Sequence, residues 1–483
     1  MKDMLKSEKR KVVRKEIKTR LNQMYEDNYT DLHSSLITNA QDRIIGLNID
    51  KLSRIYVEHF PTVYQEENNS YFQYSDIMGV WNKTSILSIT KHFKRIVRRL
   101  VPDFWKAGFN KEIEAILPLL CKNVEDLEEA TNVINLKNGL FSLTTFKLLP
   151  HSEKIFSTIQ IPFLYDPEAM CPNFKKFLDE IFLGDKALKK ILQEAFGYGL
   201  SSQVAAQKFF LMYSAGSSGK SVVCDLLYHL AGGKEQVSTV ALGDLGHKFQ
   251  RSQLYGKLVN ISTENEVRRF NTQALKAITA GDPVQLEMKG QNPFTGVITC
   301  KLFFAVNSLP IASDKTFSYM RRAQVIPFVA RFVDDPDSNK PEELKRNPNI
   351  KDELLKELPG IFNWAMKGLR RLINQDYNFT HSEKADEVLA LYASEINPVC
   401  DFTNEVIKAN EKSEVTQDSL YNTYSIWAKR NGEKVDSKRS FLKDLRQNLN
   451  DTKIPFEERK SNSKRFFTGI ALKNLSNLDI DEI

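Results

Sequence analysis

Phe209-Phe210-Leu211-Met212-Tyr213, then Ser214-Ala215-Gly216-Ser217-Ser218-Gly219-Lys220-Ser221, then Val222-Val223-Cys224-Asp225-Leu226-Leu227-Tyr228-His229-Leu230, reads as strand, glycine-rich loop and helix. That order turns backbone N–H groups and the positive end of a helix toward phosphate oxygens. The expectation is an ATP site held by Gly216, Ser217, Ser218, Gly219, Lys220 and Ser221. Lys220 would reach the β/γ-phosphates and the Ser221 hydroxyl would ligate Mg²⁺. The strict G-x-x-x-x-G-K-[ST] pattern has a glycine where this chain has Ser214, so the apolar flanks carry the reading. The competing reading is a serine-rich turn with no ligand.

Downstream, Leu258-Val259-Asn260-Ile261-Ser262 is a second strand candidate, with Glu264 just beyond it to polarise water or hold the metal. Leu302-Phe303-Phe304-Ala305-Val306 is a third, ending in Asn307, a group that could report on the γ-phosphate. Arg321 and Arg322 precede a β-rich run; a guanidinium fork suits transition-state charge, in cis or from a neighbouring subunit. Solvated acids, a turn asparagine and surface arginines are the bland counterparts. Between Glu266 and Asn307, alternating residues flank Gly290-Gln291-Asn292-Pro293, which predicts a hairpin with Lys289 and Phe294 beside its tip, suited to phosphate contact and base stacking. Apolar runs alternating with helical stretches over 205–332 predict an α/β unit with a largely parallel sheet.

This series resembles the superfamily 3 helicases of the poxvirus D5-like branch, the nearest group being replication initiator helicases of staphylococcal phage-inducible pathogenicity islands or related cassettes. The residues that carry the resemblance are Gly219-Lys220-Ser221, Glu264, Lys276 with Gly281-Asp282 and the hairpin, Asn307, and Arg321-Arg322. Asn138-Gly139-Leu140 with Pro150-His151, and Gly360 to Gly368, resemble the flanking parts of that family. The resemblance spans about residues 60 to 400. It implies an AAA+-like motor, a homohexameric ring, an arginine finger reaching the neighbour's ATP, and channel hairpins, with Lys276 and Lys289 on single-stranded DNA.

The 483 residues suggest several domains, and 41% hydrophobic with 27% charged residues exclude a mainly disordered or fibrous chain. The expected division is a basic N-terminal arm over 1–54, taken as mobile; an α+β D5-like domain over 55–204; the ATPase over 205–332; a helical region over 333–410; and a basic module over 411–483. The stretch 334–349, with three prolines and many charges, reads as a linker. The net charge of +7 divides unevenly: residues 1–20 and 434–473 each carry +6, leaving −5 elsewhere. Basic ends suit anionic partners, most economically nucleic acid. Five scattered cysteines indicate neither a disulfide framework nor a zinc site and suggest a reducing cytoplasm; no apolar run predicts a membrane span.

At the C-terminal end, Thr416 opens one helix and Ser437 a second. The second sets Lys438, Arg439, Lys443 and Arg446 largely opposite Phe441, Leu442 and Leu445, and two strands follow with Lys464 and Arg465 at their junction. Helix, basic helix and hairpin predict a winged-helix-like DNA-binding module, against a helical cap with a solvated basic face. The expected activity is that of an ATP-dependent helicase and replication initiator that recognises its origin in duplex DNA and engages host replication proteins. The alternatives are an ATP-switched origin-melting protein and a primase-helicase, although 1–200 shows no convincing acidic catalytic pair.

Overall fold

The computed structural model describes residues 2–263, 272–290, 292–310, 317–396, 398–433, 435–461 and 464–473. The first region includes α1 (Lys2–Asp27), α2 (Ile49–His59), β1 (Thr62–Gln65), β2 (Ser70–Ser75), β3 (Val80–Thr84), α3 (Ile86–Leu100) and α4 (Gly108–Leu120). The predicted strand pair near 69–81 is the antiparallel β2–β3 ladder. The predicted hairpin at 133–143 is β4 (Val133–Leu136) with β5 (Gly139–Ser142).

The expectation of a mobile arm over 1–54 fails. Met24 and Leu32 are buried in one core with Ile55, Phe93, Ile96 and Ile113. The buried Glu16 carboxylate accepts from Ser75 Oγ at 2.6 Å and Asp76 N at 3.0 Å, while Arg20 pairs with Asp76 at 2.6 Å. Charged residues occupy part of the docking stripe of α1, so apolar periodicity does not betray it.

Next come α5 (Pro172–Ile181), α6 (Lys186–Gly199), β6 (Phe209–Tyr213), α7 (Lys220–Leu230), β7 (Val237–Ser238), β8 (Val259–Ser262), α8 (Gln273–Ala280), β9 (Val284–Leu286), β10 (Phe294–Gly296), β11 (Lys301–Val306) and β12 (Ala323–Pro327). Five of these strands form a parallel sheet in the order β7-β8-β11-β6-β12. The near-continuous apolar runs reflect burial of the sheet on both faces. The predicted hairpin is β9–β10, with Leu286 opposite Phe294.

The supposed linker is structured: β13 (Arg331–Val333) pairs in parallel with β14 (Glu343–Lys345), and then α9 (Ile350–Leu355), α10 (Leu358–Asn374) and α11 (Glu383–Ile396) follow. One core joins Phe177 of α5, Ile191 of α6, Phe210 of β6, Val223 of α7 and Phe362 of α10, so packing runs on across 204 and 332. The intimacy of α6 and α10 depends on glycine: a Cβ at Gly368 would lie 2.4 Å from Gln193 O, and one at Gly197 2.4 Å from Ala365 O.

The last unit comprises α12 (Pro398–Val406), β15 (Ile407–Thr416), α13 (Gln417–Arg430), α14 (Lys438–Asp451), β16 (Glu457–Ser461) and β17 (Lys464–Leu472). Its antiparallel sheet has the order β15-β17-β16, and its core includes Val399, Phe402 and Ile407, before residue 411. Thr416 and Ser437 cap their helices by accepting from Ser419 N and Ser440 N.

Candidate functional site

The glycine-rich loop leaves the C-terminal end of β6 and enters α7 with three left-handed residues, Gly216 (φ 130°), Ser217 (φ 49°) and Gly219 (φ 81°). Gly219 is required twice over, because a Cβ there would also lie 2.9 Å from Ile181 Cγ2 and 3.0 Å from Phe177 Cζ. Ser214, where the strict motif has glycine, has no positive φ and is buried; its hydroxyl accepts from Ser218 Oγ at 2.7 Å. The departure therefore closes the loop base with a hydrogen bond. Ala215, Gly216, Ser217 and Ser221 remain exposed.

Lys220 is 8% exposed, and its ammonium donates to Val306 O at 2.7 Å, Asn307 Oδ1 at 2.8 Å and Ser214 O at 3.4 Å. Burial pushes its pKa down. All three acceptors are neutral, so the cation lacks the anionic partner that would best offset its desolvation. Asn307 follows β11, which lies beside β6 in the sheet. β8 flanks β11 on the other side and ends at Ser262; Glu264 lies outside the described residues.

The loop opens into a cleft of about 780 Å³ whose outer wall was not foreseen from sequence. Phe177, Phe332, Lys345, Arg346, Ile350 and Lys351 line it. Phe332 N donates to Ser217 O at 2.6 Å, which fastens β13 to the loop. The rings of Phe177 and Phe332 lie 6.4 Å apart and are nearly parallel. The only sequence signal was the adjacent pair Lys345-Arg346 inside a segment whose prolines and charges suggested a linker.

Arg321 and Arg322 lie at the opposite end of the sheet from the loop, just before the edge strand β12 that adjoins β6. β6 and β12 run parallel with Phe209 opposite Ala323 and Tyr213 opposite Pro327, so β6, five residues at about 3.3 Å each, separates these arginines from the loop. Arg322 is 8% exposed and donates to Ser318 O at 2.6 Å and Ser318 Oγ at 2.9 Å, whereas Arg321 is exposed and reaches Gln207 Oε1 at 3.2 Å.

Among the predicted DNA residues, Lys289 is exposed near the β9–β10 turn, while Lys276 lies half-buried on α8. Phe294 is not a free stacking surface: its half-buried ring packs edge-on to Tyr255 at 5.4 Å. On the last unit Arg439, Lys443, Lys464 and Arg465 are exposed, and Lys438 is paired with Asp418. Lys460 and Arg465 stand directly opposite each other across β16–β17. No helix of the described residues is long and apolar enough to cross a membrane, and no group of three or more metal-ligating side chains occurs among them.

Residues 2–183 match a family described as D5 N terminal like, residues 212–322 a family of unknown function (DUF5906), and residues 394–482 a family described as Poxvirus D5 protein-like. The chain is 22% identical over 377 residues to a protein named "Putative helicase" in Acanthamoeba polyphaga mimivirus, covering 72% of this chain and 38% of that one. It is 21% identical over 336 residues to one of the same description in Invertebrate iridescent virus 3, covering 62% and 35%. It thus spans little more than a third of the length of these relatives. Among solved structures, two apo forms of the NrS-1 C-terminal region align with TM-scores of 0.49 and 0.46 at 12% and 10% identity, each covering 88% of this chain and 98% and 99% of the other. Both ends of the chain thus match D5-like family models, and the chain is similar to viral proteins named as helicases.

Proposed function

We propose that this chain is an ATP-dependent DNA helicase of the D5-like kind that initiates replication of a mobile genetic element. The observation that carries the reading is the buried Lys220 ammonium, held by neutral acceptors at the N-terminus of α7 beside an exposed glycine-rich loop. Phosphate oxygens are stronger acceptors than carbonyls, so ATP binding would draw Lys220 from Val306 O and Asn307 Oδ1 and free the amide to face the γ-phosphate. The open space around Gly216 admits a phosphate against the backbone, and the Phe177–Phe332 wall offers an apolar surface for the base. Ser221 and Glu264 would hold Mg²⁺, which neutralises phosphate charge when bound.

A hexameric AAA+-like ring gives Arg321 its use. From the end of the sheet opposite its own loop, the exposed guanidinium would complete the neighbour's site, while Arg322 holds the turn that presents it. Lys289 would contact single-stranded DNA at the hairpin tip, with Lys276 behind it. The order of helix, strand, two helices and two strands in the last unit supports a winged-helix reading, in which Arg439 and Lys443 on the second of the two adjacent helices and Lys464 and Arg465 on a wing would meet origin duplex DNA. Two cations directly opposed at Lys460 and Arg465 destabilise a bare hairpin, a cost that DNA phosphates would relieve.

The test is ATP hydrolysis and strand displacement on forked DNA by the purified chain and by Lys220→Ala. Hydrolysis by the parent that the variant lacks is expected; equal hydrolysis by both would refute the site. Hydrolysis without strand displacement would instead favour an ATP-switched origin-melting protein.

A further inference from the structure

α1 and α3 carry the same charge pattern. On α1, Lys11, Arg14, Lys15 and Lys18 are exposed; on α3, Lys91, Lys94, Arg95 and Arg98 are exposed. Both sets follow i, i+3, i+4, i+7, which gathers each into one stripe. Each stripe faces away from a shared core, which buries Met24 of α1 and Ile89, Phe93, Ile96 and Val97 of α3. Arg99 joins the helices: its guanidinium lies 3.9 Å from the Tyr25 ring centroid and donates to Asn22 Oδ1 at 3.1 Å. Lys18 is one turn before Asn22 and Arg98 adjoins Arg99, so this bond brings the ends of the two stripes together.

We infer that this surface binds the phosphate backbone of double-stranded DNA, as a second DNA site distinct from the motor hairpin and the last unit. Three observations support it. None of the eight cations forms an ion pair with a described residue, and α3 contains no Asp or Glu. An ordinary solvated helix face mixes signs, and like charges at i, i+4 repel by a few tenths of a kcal/mol per pair, a cost an anionic backbone removes. The helix dipole accounts for cations at Arg98 and Arg99 in the last turn, but not for Lys91, Lys94 and Arg95. Finally, neither stripe carries an exposed aromatic residue, since Phe93 is buried. Single-strand binding relies on stacking platforms, whereas Lys and Arg rows without them suit the backbone of a duplex, read without regard to sequence.

The inference rests on the DNA reading above but is tested separately from the ATP site. Binding of the full chain to a short duplex of random sequence is measured over a salt series, for the parent and two variants: Lys11→Ala/Arg14→Ala/Lys15→Ala/Lys18→Ala and Lys91→Ala/Lys94→Ala/Arg95→Ala/Arg98→Ala. Each variant should bind more weakly, and the slope of log K against log salt should fall by about 0.9 for each phosphate no longer neutralised, up to about 3.6 per stripe. ATP turnover without DNA and thermal unfolding should match the parent, because all eight side chains are exposed. The charge-preserving Arg95→Lys/Arg98→Lys should bind as the parent does. Unchanged affinity and slope in both variants would overturn the inference, as would weakening confined to single-stranded DNA. Failure of the parent to hydrolyse ATP would count against the motor reading and leave the binding result to decide this one.

Discussion

The Lys220 ammonium donates to Asn307 Oδ1 at 2.8 Å, a bond that ties the N-terminus of α7 to the end of the neighbouring strand β11. A phosphate that drew Lys220 away from Asn307 would thereby act on the end of β11. Removing one preorganised donor from such a site typically costs about 10²–10³ in turnover, which is the expectation for Lys220→Ala. Asn307→Ala should lower turnover while leaving ATP affinity nearly intact, since its amide grips Lys220 rather than the loop. Steady-state hydrolysis alongside nucleotide titration separates the two effects; equal loss of affinity in both variants would contradict this division of roles.

Arg321 and Arg322 should behave differently although they are adjacent. Arg321→Ala, at an exposed guanidinium, should lose about 10³–10⁵ in hydrolysis and keep ATP binding and stability. Mixing it with Lys220→Ala subunits should restore part of the activity if the arginine acts in trans. Arg322→Ala loses two part-buried hydrogen bonds to Ser318 and should cost about 1–3 kcal/mol in unfolding free energy. Reversed phenotypes would exchange the assignments.

Gly368→Ala tests the seam between α6 and α10. The new Cβ would stand 2.4 Å from Gln193 O, a backbone atom that cannot rotate away, so a loss of about 1–3 kcal/mol or more is expected in denaturant unfolding. A variant as stable as the parent would show that the seam yields easily.

His92 sets a pH dependence in the first region. It is 4% exposed, Tyr56 Oη and its Nδ1 are 2.8 Å apart, and burial lowers its pKa to about 4 from an ordinary value near 6.5. Between those values the unfolded chain binds the extra proton, so this contribution is complete above about pH 6.5 and is lost as pH falls toward 4. Linkage puts the loss between pH 7 and 5 at about 2 kcal/mol. His92→Gln should remove that part of the pH dependence; identical stability profiles for variant and parent would assign it to other groups.

For the last unit, Arg439→Ala and Lys443→Ala should each weaken origin-duplex binding, with the salt slope falling by about 0.9 if the side chain meets a phosphate. A side chain that reads a base edge should instead lose discrimination between sequences at a cost of about 1–3 kcal/mol. Filter binding or anisotropy with specific and scrambled duplexes distinguishes the cases, and no change in either quantity would remove α14 from the interface.

By itself the sequence determined the elements whose physics is local. The runs at 209–213, 258–262 and 302–306 are apolar enough to be fully buried strands, and they appear as β6, β8 and β11. Thr416 and Ser437 announced their helices because a hydroxyl needs only a backbone N–H three residues on. Gly219 before Lys220 fixed the loop, since only glycine tolerates both the left-handed turn and the approach of Ile181 and Phe177, although the second reason became visible only in three dimensions. Tertiary structure decided everything that depends on a partner far along the chain. It docked α1 through Glu16 and Arg20, whose charges disguise a packed face, to Ser75 and Asp76 about 60 residues away. It turned 334–349 from a presumed linker into part of the cleft wall, packed Phe294 against Tyr255, and placed the two arginines at the end of the sheet opposite Lys220. Burial and strand direction are properties of the assembled sheet, and a side chain's neighbours in sequence do not specify them.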